Sequence, residues 1–266
     1  MLIIGERINS TRQRIQDAIR ARNDALIAHE ARAQIDAGAH YIDVNCAIGS
    51  GDELQDIDWV VSVIQSSVKR FNICIDSPNY LAIERALKVY KGGGEILINS
   101  ITGEEARIKT ILPLAKKYKA KVIALTMTEE GMPHSAQDRL DVVKKILARA
   151  EKDGFDPNDL FFDALIRPIS TEPEQAREFL AAIPMIKGLG PAKTVCGLSN
   201  VSFGLPSRSV LNAAFLTMAI QAGLDAAIID PLDKRLISSA KAAQALLGQD
   251  EYCAGFIRAF REGKLI

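Results

Sequence analysis

The feature that most restricts how this 266-residue chain can fold is a repeated alternation of eight short apolar runs with stretches of helical patterning. The runs are Leu2–Gly5, Tyr41–Val44, Ile73–Ile75, Ile96–Ile98, Val122–Leu125, Leu160–Phe162, Thr194–Leu198 and Ala226–Ile229. Each is short and mostly apolar, as expected of parallel strands covered on both faces. Parallel neighbours need a crossover segment, usually a helix. The stretches between the runs carry the punctuation of helices.

Ser77-Pro78 reads as an N-cap followed by proline at the first helical position. Thr102 to Glu105 and Thr171 to Glu174 have the spacing of a capping box. Ser135 opens a helix in which Leu140, Val143, Ile146, Leu147 and Ala150 share one face, and Gly154 closes it. Ser209 precedes a helix running through Val210, Ala213, Phe215 and Met218 to a stop at Gly223. The first helix is expected from about Arg12 to Asp36, ending at Gly38. No Gly/Ser linker, low-complexity segment or shift in composition marks a boundary.

These observations predict an α/β fold, a (β/α)8 TIM barrel formed by one domain over residues 1–266. A length of roughly 250 residues is typical of that barrel, and an apolar fraction of 48% fills its core. A doubly wound open sheet has the same alternation. The count of eight favours the barrel. No G-x-G-x-x-G follows the first strand, which weakens the dinucleotide-binding version of the open sheet.

Charge excludes some partners. Lys and Arg total 33, as do Asp and Glu, so nothing predicts an electrostatic hold on nucleic acid or an anionic membrane. No stretch reaches the roughly 18 apolar residues of a membrane span. The opening MLIIGERIN lacks the pattern of a secretory signal, so a cytoplasmic setting is expected. Cys46, Cys74, Cys196 and Cys253 show no zinc-knuckle or C-x-x-C spacing and read as buried thiols. A zinc site formed by Cys46, Cys74 and Cys196, on or just after strands two, three and seven, is the alternative. Cys74 falls within its strand rather than beyond its end, so no bound metal is expected.

In a barrel, the active site is built at the C-terminal ends of the strands. There the first strand meets Glu6, Arg7 and Asn9, and the second runs into Asp43 and Asn45. The third ends at Asp76, the fourth at Asn99, the sixth at Asp163, the seventh at Ser199-Asn200 and the eighth at Asp230. The fifth is the exception, closing with Thr126-Met127. Any one of these residues is also a common cap or turn former, but together they place carboxylates and amides at one end. None of the three histidines, His29, His40 and His134, stands where a general base is needed. No Ser-His-Asp arrangement, G-x-S-x-G, H-E-x-x-H or P-loop is present. The set suits a neutral heterocycle rich in donors and acceptors: an Asp accepts two N–H bonds, and an Asn offers one group of each kind. A glycosidase pair of carboxylates leaves Asn99 and Asn200 without a role.

Six stretches carry a family resemblance: GERIN (Gly5–Asn9), DVN (Asp43–Asn45), IDSPN (Ile75–Asn79), INS (Ile98–Ser100), Asp163 after Phe161-Phe162, and GLSNVSFGLPSRS (Gly197–Ser209). Over essentially the whole chain the sequence resembles the pterin-binding methyltransferases. Within them it is closest to the methyltetrahydrofolate:corrinoid protein methyltransferases and to the folate module of cobalamin-dependent methionine synthase. The resemblance implies a TIM barrel in which Asp76, Asn99 and Asp163 read the pterin ring. It implies that Asn200 hydrogen-bonds near the methyl-bearing nitrogen N5 and that Arg208 lies beside the pterin. Glu6 and Asn9 would also line the pocket, with Asp43, Asn45 and Ser199 supporting it. Dihydropteroate synthase shares the barrel but uses a lysine at the end of strand seven and an Arg-x-His near strand eight. Here Ser199-Asn200 and Asp230-Pro231-Leu232-Asp233 occupy those places. A folate-binding protein without turnover is the remaining alternative.

The implied reaction moves a methyl group between tetrahydrofolate and the cobalt of a corrinoid. The chain has no D-x-H-x-x-G cobalamin-binding signature, so the cobalamin-type cofactor is expected from a separate corrinoid protein. The resemblance also implies a homodimer.

Overall fold

The computed structural model describes residues 1–266. All eight apolar runs are strands: β1 (Leu2–Asn9), β2 (Tyr41–Asn45), β3 (Phe71–Asp76), β4 (Gly93–Ile101), β5 (Lys121–Leu125), β6 (Leu160–Asp163), β7 (Lys193–Gly197) and β8 (Ala226–Ile229). They form a closed barrel in chain order. Every pairing is parallel, and β8 returns to β1 with Leu2 opposite Ala226. The helices are α1 (Gln13–Arg20), α2 (Asp24–Asp36), α3 (Glu53–Ser67), α4 (Tyr80–Val89), α5 (Glu105–Tyr118), α6 (Ala136–Lys152), α7 (Gln175–Lys187), α8 (Arg208–Ala222), α9 (Lys234–Leu246) and α10 (Ala254–Arg261).

The closed sheet separates two apolar layers. The larger cluster joins the outward strand residues to the buried faces of the helices. The smaller one plugs the barrel axis with Ile4, Tyr41, Cys74, Leu97, Ile123, Phe161, Val195 and Ala226. One residue from each strand enters the plug, so side chains fill the barrel and no pore remains. The thiols are divided by the sheet: Cys74 belongs to the plug, whereas Cys46 and Cys196 lie in the outer layer. They therefore do not converge on one point.

Several expected boundaries move. The first helix is two helices, because Arg22 adopts φ +49° and the Asn23 side chain then caps α2 by accepting from Leu26 N at 3.1 Å. Asn79, not Ser77, caps α4, accepting from Leu81 N at 3.0 Å. Ser77 Oγ instead accepts from Asn79 N at 2.9 Å and donates to Glu53 at 2.6 Å. Neither threonine box forms, since α5 begins at Glu105 and α7 at Gln175, two and three residues later than the boxes require, and their preceding Glu104 and Glu174 make no side-chain cap bond. The box at Ser135 does form, with Asp138 as its reciprocal partner. Helix α8 starts at Arg208 behind Ser207 rather than at Ser209, and Gly223 closes it with φ +107°. Strand β1 is longer than its apolar run, so Glu6, Arg7 and Asn9 lie within it. Strand β7 ends at Gly197, and Leu198–Ser202 is a 3-10 turn.

Candidate active site

The site follows from the two-residue period of a strand. Each plug residue faces the axis, so the residue two places later faces it one level higher. Ile4 is thus followed by Glu6, Tyr41 by Asp43 and then Asn45, Cys74 by Asp76, Leu97 by Asn99, and Phe161 by Asp163. The same step gives Leu125 on β5, Gly197 on β7 and Ile228 on β8. A polar layer therefore stands on an apolar floor, with its acids and amides on β1–β4 and β6.

Contacts join this layer. Asn45 Nδ2 donates to Asp76 at 3.0 Å, while its Oδ1 accepts from buried Ser10 at 3.0 Å and from Ala47 N at 3.2 Å. The Asn45 amide is thereby oriented with its donor toward the acid. Asp76 and Asn99 are register partners on β3 and β4. Asp43 is buried, and its Oδ1 has no hydrogen-bond partner. Asp163 is also buried. Its oxygens accept from Leu165 N at 2.8 Å and Gly197 N at 3.3 Å.

Burial dominates the electrostatics. It raises the Asp43 carboxyl well above its ordinary range, and the neighbouring Asp76 charge adds to the rise, with Cys74 and Asn99 easing it. Asp76 is raised by burial against the bond from Asn45. Glu6 is raised by burial and by Asp230, while Arg12 and Ser199 oppose this. Burial pushes Asp163 up to about 6, countered by the Leu165 and Gly197 N–H groups and by Arg139. Such carboxyls are poised to accept N–H donors, because each new bond to the ionised form repays part of its desolvation.

The turn after β7 completes the site. Asn200 is exposed on this turn. A Cβ built on Gly197 would lie 3.7 Å from Asn200 Nδ2 and 3.9 Å from Asp163 Oδ2, so the amide and the acid flank one small space. Ser199 Oγ donates to Glu6 at 3.3 Å. Arg208 reaches back from the start of α8 to Ser202 Oγ at 3.0 Å and Ser199 O at 2.5 Å. In this structure its guanidinium pins the turn. Asn9 is likewise engaged at the rim, its Oδ1 accepting from Thr11 N at 2.9 Å and Thr11 Oγ1 at 2.7 Å. Asp230 accepts from Arg7 at 2.8 Å and Arg12 at 3.4 Å, which makes it part of an ion network between β1 and β8.

Two arginines were not legible as site residues. Arg12 reads as a helix start, yet its guanidinium bridges Glu6 at 3.3 Å and Asp230 at 3.4 Å. Arg139 stands on the apolar face of α6 and is wholly buried. A basic residue in register with Ala136, Leu140 and Val143 was the available signal.

The family model for pterin binding enzymes matches residues 5–230. The chain is 33% identical over 268 residues to the methylcorrinoid:tetrahydrofolate methyltransferase of Eubacterium limosum, covering 100% of this chain and 98% of that protein. It is 31% identical over 243 residues to the methionine synthase of Mycobacterium tuberculosis, covering 86% of this chain and 20% of that protein. Among solved structures, dihydropteroate synthase from Stenotrophomonas maltophilia with bound imidazole superposes with TM-score 0.70 at 21% identity, over 92% of each chain. The Xanthomonas albilineans dihydropteroate synthase complex with 7,8-dihydropteroate gives TM-score 0.70 at 18% identity, over 92% of this chain and 93% of that one. At these identities the structural likeness speaks to the fold alone. The chain belongs to the pterin binding enzyme family.

Proposed function

We propose that this pterin-binding enzyme is a methyltransferase that moves a methyl group between N5 of tetrahydrofolate and the cobalt of a corrinoid carried on a separate protein. The observation that carries the reading is the placement of the Asn200 amide beside Asp163, across the space that the missing Gly197 side chain leaves open. The relative matched along its full length is named for methylcorrinoid and tetrahydrofolate, which supports the same choice of substrates.

In this reading Asp76, Asn99 and Asp163 hold the pterin ring through its N–H and carbonyl edge. Glu6, Asn9 and Arg208 line the rest of the pocket. Asn45 orients Asp76 and Ser199 orients Glu6 through the bonds described above, and Asp43 supports the pocket as a buried acid whose proton affinity is raised by burial and by the Asp76 charge. The methyl leaves a tertiary amine, a poor leaving group unless N5 gains a proton or a hydrogen bond as the C–N bond breaks. An amide turns either its N–H or its C=O to N5, so Asn200 can follow the nitrogen through that change. Its stabilisation is weighted toward the transition state. The corrinoid is the second substrate, presented by its carrier at the barrel mouth. A cytoplasmic homodimer is the assembly that accompanies this reading.

The test is spectroscopic. The protein is mixed with tetrahydrofolate and methylcobalamin, and the absorbance of cob(I)alamin is followed. Its appearance, dependent on both protein and tetrahydrofolate, is the expected result. Folate binding without spectral change would leave a binding protein rather than an enzyme.

A further inference from the structure

Arg139 is fully buried, and none of its hydrogen bonds goes to a carboxylate. Nε donates to Ala164 O at 2.6 Å, Nη2 to Leu165 O at 2.9 Å and Gln175 Oε1 at 2.8 Å, and Nη1 to Ser135 O at 3.0 Å and His134 O at 3.2 Å. These five bonds use every donor that a guanidinium has. An apolar residue would pack this face of α6 without the cost of desolvating a cation. What the cation does is specific to its acceptors, since Ala164 and Leu165 directly follow Asp163.

Leu165 adopts φ +54°, a left-handed conformation that a branched side chain resists. With both carbonyls of this turn drawn toward Arg139, the Leu165 N–H points the other way, to Asp163 Oδ1 at 2.8 Å. We propose that Arg139 is a positioning residue for Asp163: it holds the Ala164–Leu165 turn in the conformation that delivers the Leu165 N–H to the carboxylate, and so keeps that acid ready to accept a donor from the ligand. The role as a ligand acceptor rests on the function proposed above; the positioning of Asp163 does not.

The charged and titratable groups around the pair are few. Arg139 is the charged group acting on Asp163, with the Leu165 and Gly197 N–H donors beside it. The Cys196 thiol on β7 is kept protonated by burial, and the Asp163 charge across the sheet adds to this. Arg139 itself feels Arg167, Glu178 and Asp138 besides Asp163.

The experiment titrates Asp163 by carbon NMR of labelled aspartate in the ligand-free full chain, with Asp163→Asn assigning the signal. Arg139→Met and Arg139→Lys are compared with wild type, and tetrahydrofolate affinity is measured on the same samples. The Asp163 midpoint should rise by about one unit in Arg139→Met, and by less in Arg139→Lys, which keeps the charge but not the five donors. Affinity should fall about twofold near neutral pH in Arg139→Met, approach about a tenfold loss in buffer more acidic than both midpoints, and recover in more alkaline buffer. A purely structural role would lower affinity equally at all pH values and leave the midpoint in place, which overturns the proposal. If neither variant folds, the wild-type chain decides: the Arg139 Nε–H must resist solvent exchange, and the Leu165 amide shift must follow the Asp163 midpoint. Free exchange, or an amide that ignores that midpoint, also overturns it. Failure of the wild type to bind tetrahydrofolate would refute the proposed function while leaving the Asp163 midpoints to judge Arg139.

Discussion

At the scale of residues, the two-residue strand period makes the polar layer legible: Glu6, Asp43, Asn45, Asp76, Asn99 and Asp163 were expected at the strand ends and stand above the apolar plug. Their division of labour separates experimentally. Asn200→Ala removes an exposed amide with no side-chain partner in the protein, so the fold should be unaffected. The methyl-transfer rate in stopped-flow measurements should fall roughly 10²–10³-fold, the loss typical of one preorganised donor, with folate affinity largely kept. Asp76→Ala, Asn99→Ala and Asp163→Ala should each instead weaken folate binding by about 1–3 kcal/mol in titration calorimetry. Unchanged affinity in all three would remove the pocket assignment. Asp43 calls for a different measurement. Its folded-state proton affinity is raised by burial and by Asp76, so its stabilising contribution is full below the ordinary carboxylate range and is lost as pH rises through the folded value. Asp43→Asn cannot ionise, and it should gain stability over wild type in alkaline but not in acidic buffer. Thermal melts read this directly, since about 1 kcal/mol corresponds to about 2–4 °C in Tm for a domain of this size.

At the scale of elements, the strands were legible because each is a continuous apolar run, and the helix ends were less so because competing caps lie close in sequence. Asn79 outcompetes Ser77 two residues upstream, and Asn23 interrupts what periodicity alone joins into one helix. The boundary that matters most is the end of β7. Read as a strand through Leu198, it presents Ser199-Asn200 at a strand end; the fold instead stops the strand at Gly197 and mounts the amide on a 3-10 turn. That turn is pinned by Arg208 and tied to β1 by the Ser199–Glu6 bond, neither of which spacing along the chain reveals. The small residue before the turn then becomes a test of the geometry. Gly197 has φ −73°, and an added Cβ meets nothing closer than 3.7 Å, so Gly197→Ala should fold with a Tm near that of wild type. The methyl would occupy the space between Asn200 and Asp163, and tetrahydrofolate affinity should drop at least about tenfold. If affinity is retained, the ligand does not enter that space.

At the scale of the whole molecule, the closed barrel gathers acids from strands far apart in the chain into one low-dielectric mouth, an assembly that no single motif reports. Burial raises Glu6, Asp43, Asp76 and Asp163 together, so the ligand-free mouth holds on to protons that isolated carboxyls would release. A ligand that donates N–H bonds to an acid favours its ionised form and lowers its pKa. Binding should therefore expel protons, most strongly where the acid is part-protonated beforehand. For Asp163, raised to about 6, that condition is met in mildly acidic buffer and lost in alkaline buffer. Titration calorimetry of tetrahydrofolate in two buffers of different ionisation enthalpy counts these protons. We expect net release near the Asp163 midpoint, shrinking as pH rises, with the Asp163→Asn variant losing its share. Subtracting the Asp163→Asn count also cancels the ligand's own titration, because only the difference between the two proteins belongs to the acid. Proton uptake in that difference would mean that Asp163 is protonated in the complex and donates to the ligand, reversing which edge of the pterin it faces.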